Sequence, residues 1–148
     1  NTDIGRQRWY TQYNKSKGIA ANNNVTTTMI WGCQWDAVMR WMYNSGDIDK
    51  KTYTYDSTGK GNYKGTQGST DKPIPTGSNL NYAVNNIYDM AGNVYDWTIE
   101  ANDTDVRYYR GGNYGTLDSN RYPVSVRANV TPNYTFDDAG SRTALYIN

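Results

Sequence analysis

Aromatic residues stand in for aliphatic ones in this chain, and this limits the cores that it can build. Its 148 residues include 15 Tyr and 5 Trp, whereas Leu, Ile, Val and Phe together number 20. So small a share of Leu, Ile, Val and Phe is typical of disordered proteins, but disorder also needs a high net charge, and the net charge here is +1. Since each Tyr or Trp buries a large ring and keeps a polar atom, we expect one folded domain with an aromatic core and many loops.

Charge and missing residue types exclude several classes of function. A net charge of +1 gives no field for binding nucleic acid or an anionic membrane. The chain has no His, which excludes a Ser-His-Asp triad, a His general base and His-ligated metals. Its single cysteine, Cys33, forms neither an internal disulfide nor a multi-thiolate metal site. The longest apolar run, around residues 29–31, is far too short to span a bilayer, so we predict no direct membrane insertion.

One segment has clear helical periodicity. Apolar residues recur there at spacings of three and four, which predicts an amphipathic helix over about residues 34–44 with a core-facing stripe. The members of the stripe are Trp31, Trp35, Val38, Met39 and Met42. Cys33 lies at the start of this helix, and we expect it to be a small buried hydrophobic residue.

The rest of the first half is less regular. We expect residues 1–27 to form an N-terminal segment packed on a domain of residues 28–148. Residues 44–78 are rich in Gly, Asn, Asp and Pro, which predicts a long irregular excursion. Excursions of that length inside a compact domain tend to be functional or to be held by a special contact.

Three motif blocks lie in the second half of the chain. Residues 85–98 have the sequence NNIYDMAGNVYDWT, residues 106–114 VRYYRGGNY, and residues 140–147 GSRTALYI. In order and spacing they resemble the strings N-x-Y-D-M-x-G-N-V-W-E-W, R-G-G-S-W and G-F-R of the formylglycine-generating-enzyme (sulfatase-modifying factor) family, a branch of the C-type lectin fold. The resemblance covers about residues 28–147 and includes the helical segment, through Trp35-Asp36 and Arg40. It implies an α+β C-type lectin fold of the formylglycine-generating-enzyme subtype, with much irregular loop structure.

The sequence departs from the family pattern at the residues that bind the catalytic metals of the family. Family members that convert a sulfatase cysteine to formylglycine carry two copper-holding cysteines between the last two blocks, and the matching stretch here, residues 114–120, has none. The related iron-dependent sulfoxide synthases need histidine ligands, which this chain lacks. We therefore predict that the protein is not an enzyme and requires no cofactor. A metal-dependent oxidase of the same family is the alternative.

The segment between these blocks resembles the variable region of diversity-generating-retroelement proteins, such as the phage major tropism determinant. Residues 113–138 mix Asn, Tyr, Thr, Ser, Asp, Val and Ala, which are the products of adenine-directed mutagenesis in those proteins. Tyr, Asn, Ser and Gly are also the residues of adaptable binding surfaces. The positions predicted to bind a ligand are Asn113, Thr116, Leu117, Asp118, Asn120, Tyr122, Val126, Ala128, Asn129, Val130, Asn133, Tyr134 and Phe136.

This second resemblance implies a non-catalytic ligand- or receptor-binding domain with a diversified surface, from a phage, a prophage or a bacterial surface structure. Its partner would be a protein or a surface glycan on a host or neighbouring cell. The domain would be attached to a larger tail, pilus or surface protein, such as an adhesin. That places it at an extracellular site, on a cell surface or at a virion tip. A purely structural tail or pilus subunit is a further alternative.

Scaffold roles are expected for residues beside the blocks. Arg110, Arg127 and Arg142 lie in a chain with few aliphatic residues, so we expect them to tie loops through forked hydrogen bonds to carboxylates or carbonyls. Gly92 and the pair Gly111-Gly112 are expected where the backbone adopts unusual dihedral angles or approaches another segment closely.

The family resemblance also implies a candidate calcium site. In sulfatase-modifying members, the first block holds calcium through two side chains and two carbonyls. The matching positions here are Asp89, Gly92, Val94 and Asp96, and oxygen donors of both kinds suit a hard cation. The alternatives are that Asp89 caps a turn and that Asp96 pairs with an arginine.

Overall fold

The computed structural model describes residues 8–20, 24–65, 69, 71–116 and 122–148. Its helices are α1 (Trp9–Lys17), α2 (Gly32–Asn44) and α3 (Lys50–Thr54). Its strands are β1 (Val25–Met29), β2 (Gly61–Asn62), β3 (Ala83–Val84), β4 (Ile87–Tyr88), β5 (Ala91–Gly92), β6 (Tyr95–Ala101), β7 (Arg107–Arg110), β8 (Arg127–Val130), β9 (Ala139–Ser141) and β10 (Thr143–Ile147). No helix in these ranges is long and apolar enough to cross a membrane.

A four-stranded sheet in the order β8-β7-β6-β9 organises the fold. β7 is antiparallel to both β6 and β8, whereas β9 runs parallel to β6. β1 and β10 form a separate antiparallel pair, which joins the first described strand to the last one. The two-residue strands form two further small pairs, β2 with β5 and β3 with β4.

Strand alternation gives the central sheet two different faces. One face, which we call the aromatic face, carries Tyr95, Trp97, Tyr109, Ala128 and Val130, with Trp97 opposite Tyr109 and Tyr109 opposite Ala128. The other face, which we call the helix face, lies towards α2. Its members include Asp96, Tyr108, Arg110, Arg127 and Asn129.

Aromatic rings build much of the core, as the composition predicts. One cluster packs Trp35, Met39 and Met42 of α2 against Tyr63 and neighbouring residues. A second cluster lies on the aromatic face and contains Trp9, Met29, Tyr95, Trp97 and Ala139. Trp9 anchors α1 there, because its Nε1 donates a hydrogen bond to the carbonyl of Thr98 at 2.7 Å.

The predicted helix is confirmed, but two predictions at its start are wrong. Trp31 is 46% exposed rather than a core residue, because it precedes the first helical residue and lies outside the buried stripe. Cys33 is exposed rather than buried. Two residues correspond to roughly 200° around a helix, so Cys33 points away from the core that Trp35 enters.

The excursion over residues 44–78 includes α3, a helix that the sequence did not predict. Two buried side-chain amides hold a later part of the excursion in place. Asn93 accepts a hydrogen bond from the backbone N–H of Ile74 at 2.9 Å and donates to the carbonyl of Ile74 at 3.0 Å. Asn62 donates to the carbonyl of Lys72 at 2.8 Å. These amides are the special contact that a long irregular segment requires.

Candidate ligand-binding face

Five rings from three parts of the chain meet at one end of the aromatic face. We call them the ring cluster: Tyr95, Tyr109, Tyr122, Tyr134 and Phe136. Phe136 lies at the centre, with its ring centroid 5.7 Å from that of Tyr95, 5.2 Å from Tyr109 and 4.8 Å from Tyr134. Tyr95 also contacts Tyr109 at 4.8 Å and Tyr122 at 6.0 Å. Residues of the sheet and of the 113–138 segment therefore share one aromatic surface.

The ring cluster is graded from core to solvent. Tyr95 is buried, whereas Tyr109, Tyr122 and Phe136 are half-buried and Tyr134 is 50% exposed. Burial raises the pKa of Tyr95 to about 12 and also raises the pKa of Tyr109. Tyr95 and Tyr109 therefore stay neutral at physiological pH. The cluster offers aromatic area together with hydroxyl groups, which is the combination that binding surfaces favour.

A carboxylate borders the ring cluster. Asp138 is half-buried, and its side chain accepts a hydrogen bond from the amide of Asn113. Its backbone carbonyl accepts from the N–H of Tyr95 at 2.8 Å, which fixes this residue to β6. Burial raises the pKa of the Asp138 carboxyl, and the hydrogen bond from Asn113 opposes that shift. Burial is the main cause of the raised pKa of Tyr109 and of Tyr114, and the charge of Asp138 adds to both shifts.

Apart from the buried Asn113, the predicted ligand-binding residues fall into three groups in the structure. The exposed ones are Asn129, Asn133 and Tyr134. The half-buried ones are Thr116, Tyr122, Val126, Ala128, Val130 and Phe136. Leu117, Asp118 and Asn120 lie outside the described residues.

Asn113 was predicted to bind a ligand, but it is buried in the structure. It is 6% exposed, donates to Asp138 and accepts a hydrogen bond from the hydroxyl of Thr116. Both the NH₂ group and the carbonyl oxygen of its side-chain amide are therefore hydrogen-bonded within the protein. Asn113 positions the loop around the candidate site and is not available to a ligand.

β8 divides three consecutive predicted positions between two faces. Ala128 and Val130 lie on the aromatic face, whereas Asn129 lies on the helix face, opposite Tyr108. Because neighbouring residues of a strand point to opposite sides, one flat partner cannot contact all three. Asn129 therefore does not share a surface with the ring cluster.

Two tyrosines of the second motif block contribute to this surface, although they are not among the predicted ligand-binding residues. Tyr109 is half-buried within the ring cluster, and Tyr114 is half-buried and influenced by Asp138. Strand alternation along β7 could have predicted this difference, because Tyr108 and Tyr109 must lie on different faces of the sheet. Only Tyr108 is buried.

Arg110, Arg127 and Arg142 form the ties that the sequence predicts. The pairs are Arg110 with Asp36, Arg127 with Glu100, and Arg142 with Asp96. Arg110 and Arg142 each reach a backbone carbonyl as well. Arg127 stacks over Tyr108 with its guanidinium carbon 4.2 Å from the ring centroid. These arginines are therefore engaged within the scaffold.

The two carboxylates of the candidate calcium site already accept hydrogen bonds from other groups of the protein. Asp96 accepts a hydrogen bond from Arg142 at 2.8 Å, and Asp89 accepts one from the backbone of Gly77 at 3.0 Å. The other carboxylate oxygen of Asp89 is buried without a hydrogen-bond partner. A cation at these positions would lie next to the Arg142 guanidinium, which is an unfavourable contact. No group of three or more His, Cys, Asp or Glu that could hold a metal occurs in the described ranges, and calcium binding stays a prediction.

A cavity of about 500 Å³ lies beside the Asp96–Arg142 pair. Its lining includes Lys15, Asp89 and Ser141, and no member of the ring cluster. The cavity and the ring cluster are therefore separate features of the surface.

Comparison with known families identifies a match over most of the chain. The model of the sulfatase-modifying factor enzyme 1-like domain matches residues 19–147. That range includes α2, the three motif blocks and every residue of the ring cluster. A search of curated protein sequences finds no significant match.

Three similar solved structures share the fold. PvdO from Pseudomonas aeruginosa is 16% identical with a TM-score of 0.67, over 95% of this chain and 60% of that one. CarF is 19% identical with a TM-score of 0.58, over 83% of this chain and 48% of that one. Treponema denticola variable protein 1 is 20% identical with a TM-score of 0.57, over 85% of this chain and 49% of that one. The chain thus spans about half to three fifths of the length of these structures.

Proposed function

Because the chain belongs to the sulfatase-modifying factor enzyme 1-like family, we propose that it uses this scaffold as a non-catalytic ligand-binding domain. Its fold is the α+β, C-type lectin-like fold of that family, with few helices and much irregular structure. The proposed ligand surface is the ring cluster together with those exposed residues of the 113–138 segment that lie on the same side of the sheet, which excludes Asn129. This surface would be diversified, as the name of Treponema denticola variable protein 1 suggests for that neighbour.

The observation that carries the proposal is the composition of the ring cluster. Tyr122, Tyr134 and Phe136 come from the segment that resembles a variable region, and they pack on Tyr95 and Tyr109 of the sheet. An aromatic base with the exposed Tyr134 packed on it supports a site that tolerates replacement of its outer residues. Rigid aromatic anchors and small polar groups are what adaptable binding sites use.

The chemistry of the same region supports a role without catalysis. Residues 114–120 carry no cysteine in place of the family's copper ligands. Asp138 is held by Asn113, and the carboxylates on the helix face are paired with arginines. Cys33 lies at the start of α2, an element that contributes no ring to the cluster. No described group near the ring cluster combines a nucleophile with an adjacent base.

The setting belongs to the proposal as well. The ligand would be a protein or a surface glycan of a host or neighbouring cell. The domain would be carried by a larger phage tail, pilus or bacterial surface protein, outside the cell or at a virion tip. A near-identical template repeat that differs at adenines, next to a reverse transcriptase gene, would support the diversification.

The binding test uses the tagged domain on arrays of bacterial surface proteins and glycans. For a ligand found there, we expect Tyr134→Ala to weaken binding at least about tenfold, as the loss of an aromatic anchor does. Tyr55→Ala is the matched control, because Tyr55 is similarly exposed but lies outside the ring cluster. Asn129→Ala should also leave affinity within about twofold. Equal losses in all three variants, or no loss with Tyr134→Ala, would show that the ligand binds elsewhere.

The rival proposal is a metal-dependent oxidase of the same family. It is tested by incubating the domain with copper or iron and then with a cysteine-containing sulfatase peptide. We expect no conversion of the peptide thiol. Metal-dependent turnover would overturn the non-catalytic proposal. For a structural tail or pilus subunit, by contrast, the ring cluster would be invariant among relatives.

A further inference from the structure

We infer that the cavity of about 500 Å³ beside the Asp96–Arg142 pair binds a small zwitterion, namely an α-amino acid with an apolar side chain. This site is separate from the ring cluster and does not depend on the proposed function. The inference is carried by the size of the cavity, by its apolar wall and by lining groups whose hydrogen bonds are incomplete inside the protein.

Several parts of the chain meet around the cavity. Its lining comes from α1 and α2, from residues 74–76 of the excursion, and from the first and third motif blocks. Pockets that bind small molecules have volumes of about 300–1,000 Å³ and are lined mainly by apolar side chains with a few polar groups among them. The apolar members here include Val38, Ile74 and Met90, so the wall suits an apolar side chain of a ligand.

One buried carboxylate in the lining lacks a hydrogen-bond donor. Asp89 is 4% exposed, and its Oδ2 accepts a hydrogen bond from the backbone N–H of Gly77, but its Oδ1 has no hydrogen-bond partner. Most buried polar atoms are paired, and an unpaired one lowers stability. An ammonium group that enters through the cavity would supply both a donor and a charge of the opposite sign.

The cavity also presents a cation with an unused donor. Arg142 donates from Nε to Asp96 and from one terminal nitrogen to the carbonyl of Asp89, and its other terminal nitrogen makes no hydrogen bond within the part of the chain that the structure describes. The Arg142 side chain is partly exposed and lines the cavity. Lys15, an exposed residue of α1, adds a second positive charge to the lining. A ligand carboxylate would form charge-assisted hydrogen bonds here.

The balance of charge favours a ligand that carries both signs. Among the described lining residues, the charged ones are Lys15, Asp89, Asp96 and Arg142, so the two signs are equal in number. A metal ion or a simple amine would add positive charge next to Arg142, and a simple carboxylate would add negative charge next to Asp89 and Asp96. A zwitterion avoids both costs, because its ammonium faces Asp89 while its carboxylate faces Arg142. An α-amino acid combines this pair of groups with an apolar side chain.

The test uses L-leucine and two analogues that each lack one charged group. 4-Methylpentanoate lacks the amino group, and 3-methylbutylamine lacks the carboxylate. Each compound is titrated at neutral pH into the isotope-labelled domain while the backbone amide shifts of Ile87, Gly140 and Phe136 are followed. We expect saturable shifts with leucine at Ile87 and Gly140 but not at Phe136, and an affinity for each analogue at least about tenfold lower.

Two variants locate the ligand. Asp89→Asn removes the charge but keeps the shape, and Asn tolerates the positive φ of this residue. Leucine affinity should fall at least about fivefold in this variant, whereas that of 4-methylpentanoate should not fall. Thr76→Trp, at an exposed residue of the lining, fills space that the ligand needs and should weaken leucine binding at least about tenfold. Asp105→Asn and Thr104→Trp make the same changes on an exposed loop outside the cavity and should leave affinity within about twofold.

No saturable shift with leucine, or equal affinities for leucine and its analogues, would overturn the inference. Leucine shifts that persist in Thr76→Trp would place the ligand elsewhere and would also overturn it. Thermal unfolding shows whether each variant is folded, and Thr76→Trp decides the outcome if Asp89→Asn does not fold. Leucine binding should be unaffected by Tyr134→Ala, so this inference and the proposed binding face succeed or fail separately.

Discussion

Arg142 donates from Nε to Oδ2 of Asp96 at 2.8 Å and from a terminal nitrogen to the backbone carbonyl of Asp89. One guanidinium of the third motif block thus holds both ends of the acidic loop in the first block. Asp96 is buried, and burial raises the pKa of its carboxyl although Arg142 acts to lower it. The pair therefore joins distant parts of the chain at a considerable desolvation cost.

Removal of Arg142 should be strongly destabilising. Arg142→Met leaves the buried carboxylate of Asp96 without its cation, for which we expect a loss of roughly 3–5 kcal/mol in the free energy of unfolding. Arg127→Met is the control, because the Arg127–Glu100 pair lies nearer to solvent and should contribute about 0–1 kcal/mol. Denaturant unfolding at neutral pH measures both variants. Similar losses in the two variants would contradict the structural role of Arg142.

Asp138 should lower stability at neutral pH. Its pKa is raised in the folded protein, so the folded state retains this proton more tightly than the unfolded state does. The stability linked to protonation is complete below the unfolded pKa and is lost as the pH rises through the folded pKa. Asp138→Asn removes the charge and still accepts the hydrogen bond from Asn113, so we expect Tm at pH 7 to rise by roughly 1–3 °C.

The gain should disappear at a pH below the unfolded pKa, where the wild-type carboxyl is protonated in both states. Asp105→Asn makes the same charge change on an exposed loop and should alter Tm by less than about 1 °C. Thermal unfolding followed by circular dichroism across acidic and neutral pH provides the measurement. A lower Tm for Asp138→Asn at pH 7 would show that the carboxylate stabilises the fold, contrary to this account. A gain in stability would agree with a carboxylate that serves binding.

The motif blocks predicted the fold because their residues make the contacts that define it. Asn93 anchors the long excursion, Trp97 fills the aromatic face, and Arg142 binds Asp96. The periodicity around Trp35 predicted α2 because a buried helix must repeat its apolar residues every three or four positions. These features are visible in the sequence because each depends on residue type and spacing.

The candidate site was less predictable because exposure depends on contacts between distant residues. An asparagine such as Asn113 is usually exposed, but here Asp138, 25 residues away, accepts its hydrogen bond and draws it inside. A run such as 128–130 does not reveal its strand register, so the opposite placement of Asn129 follows only from the pairing with β7. Trp31 differs from Trp35 by its position relative to the start of α2, which periodicity defines only to within about two residues.

Asn93 should control the order of the excursion. Its side chain pairs with both backbone groups of Ile74, in the manner of a neighbouring strand. Asn93→Ala leaves these groups without partners, for which we expect a loss of roughly 2–3 kcal/mol and faster hydrogen exchange at the amide of Ile74. The amides of β7 should keep their relative protection. Asn133→Ala, at an exposed asparagine, should cost about 0.5 kcal/mol or less. Unchanged exchange at Ile74 would show that other contacts hold the segment.

Gly112 should tolerate no side chain, and its replacement links the scaffold to the ring cluster. Its φ is +118°, and a Cβ there would lie 2.7 Å from the carbonyl oxygen of Tyr122 and 2.9 Å from the hydroxyl of Tyr63. The hydroxyl of Tyr63 donates to that same carbonyl at 2.9 Å, so the new methyl group would separate the two. We expect Gly112→Ala to destabilise the fold by roughly 2–4 kcal/mol and to displace Tyr122 within the ring cluster.

Gly59 provides the matched control for this substitution. A Cβ at Gly59 would meet no atom within 4 Å, so Gly59→Ala should change the free energy of unfolding by less than about 1 kcal/mol. Denaturant unfolding gives the stabilities, and ring proton shifts of Tyr122 and Tyr95 report the geometry of the cluster. A stable Gly112→Ala variant with unchanged ring shifts would mean that the backbone at this position does not hold Tyr122. A destabilised variant whose ring shifts change only in Tyr122 and its neighbours would show that the glycine pair of the second motif block positions the binding face.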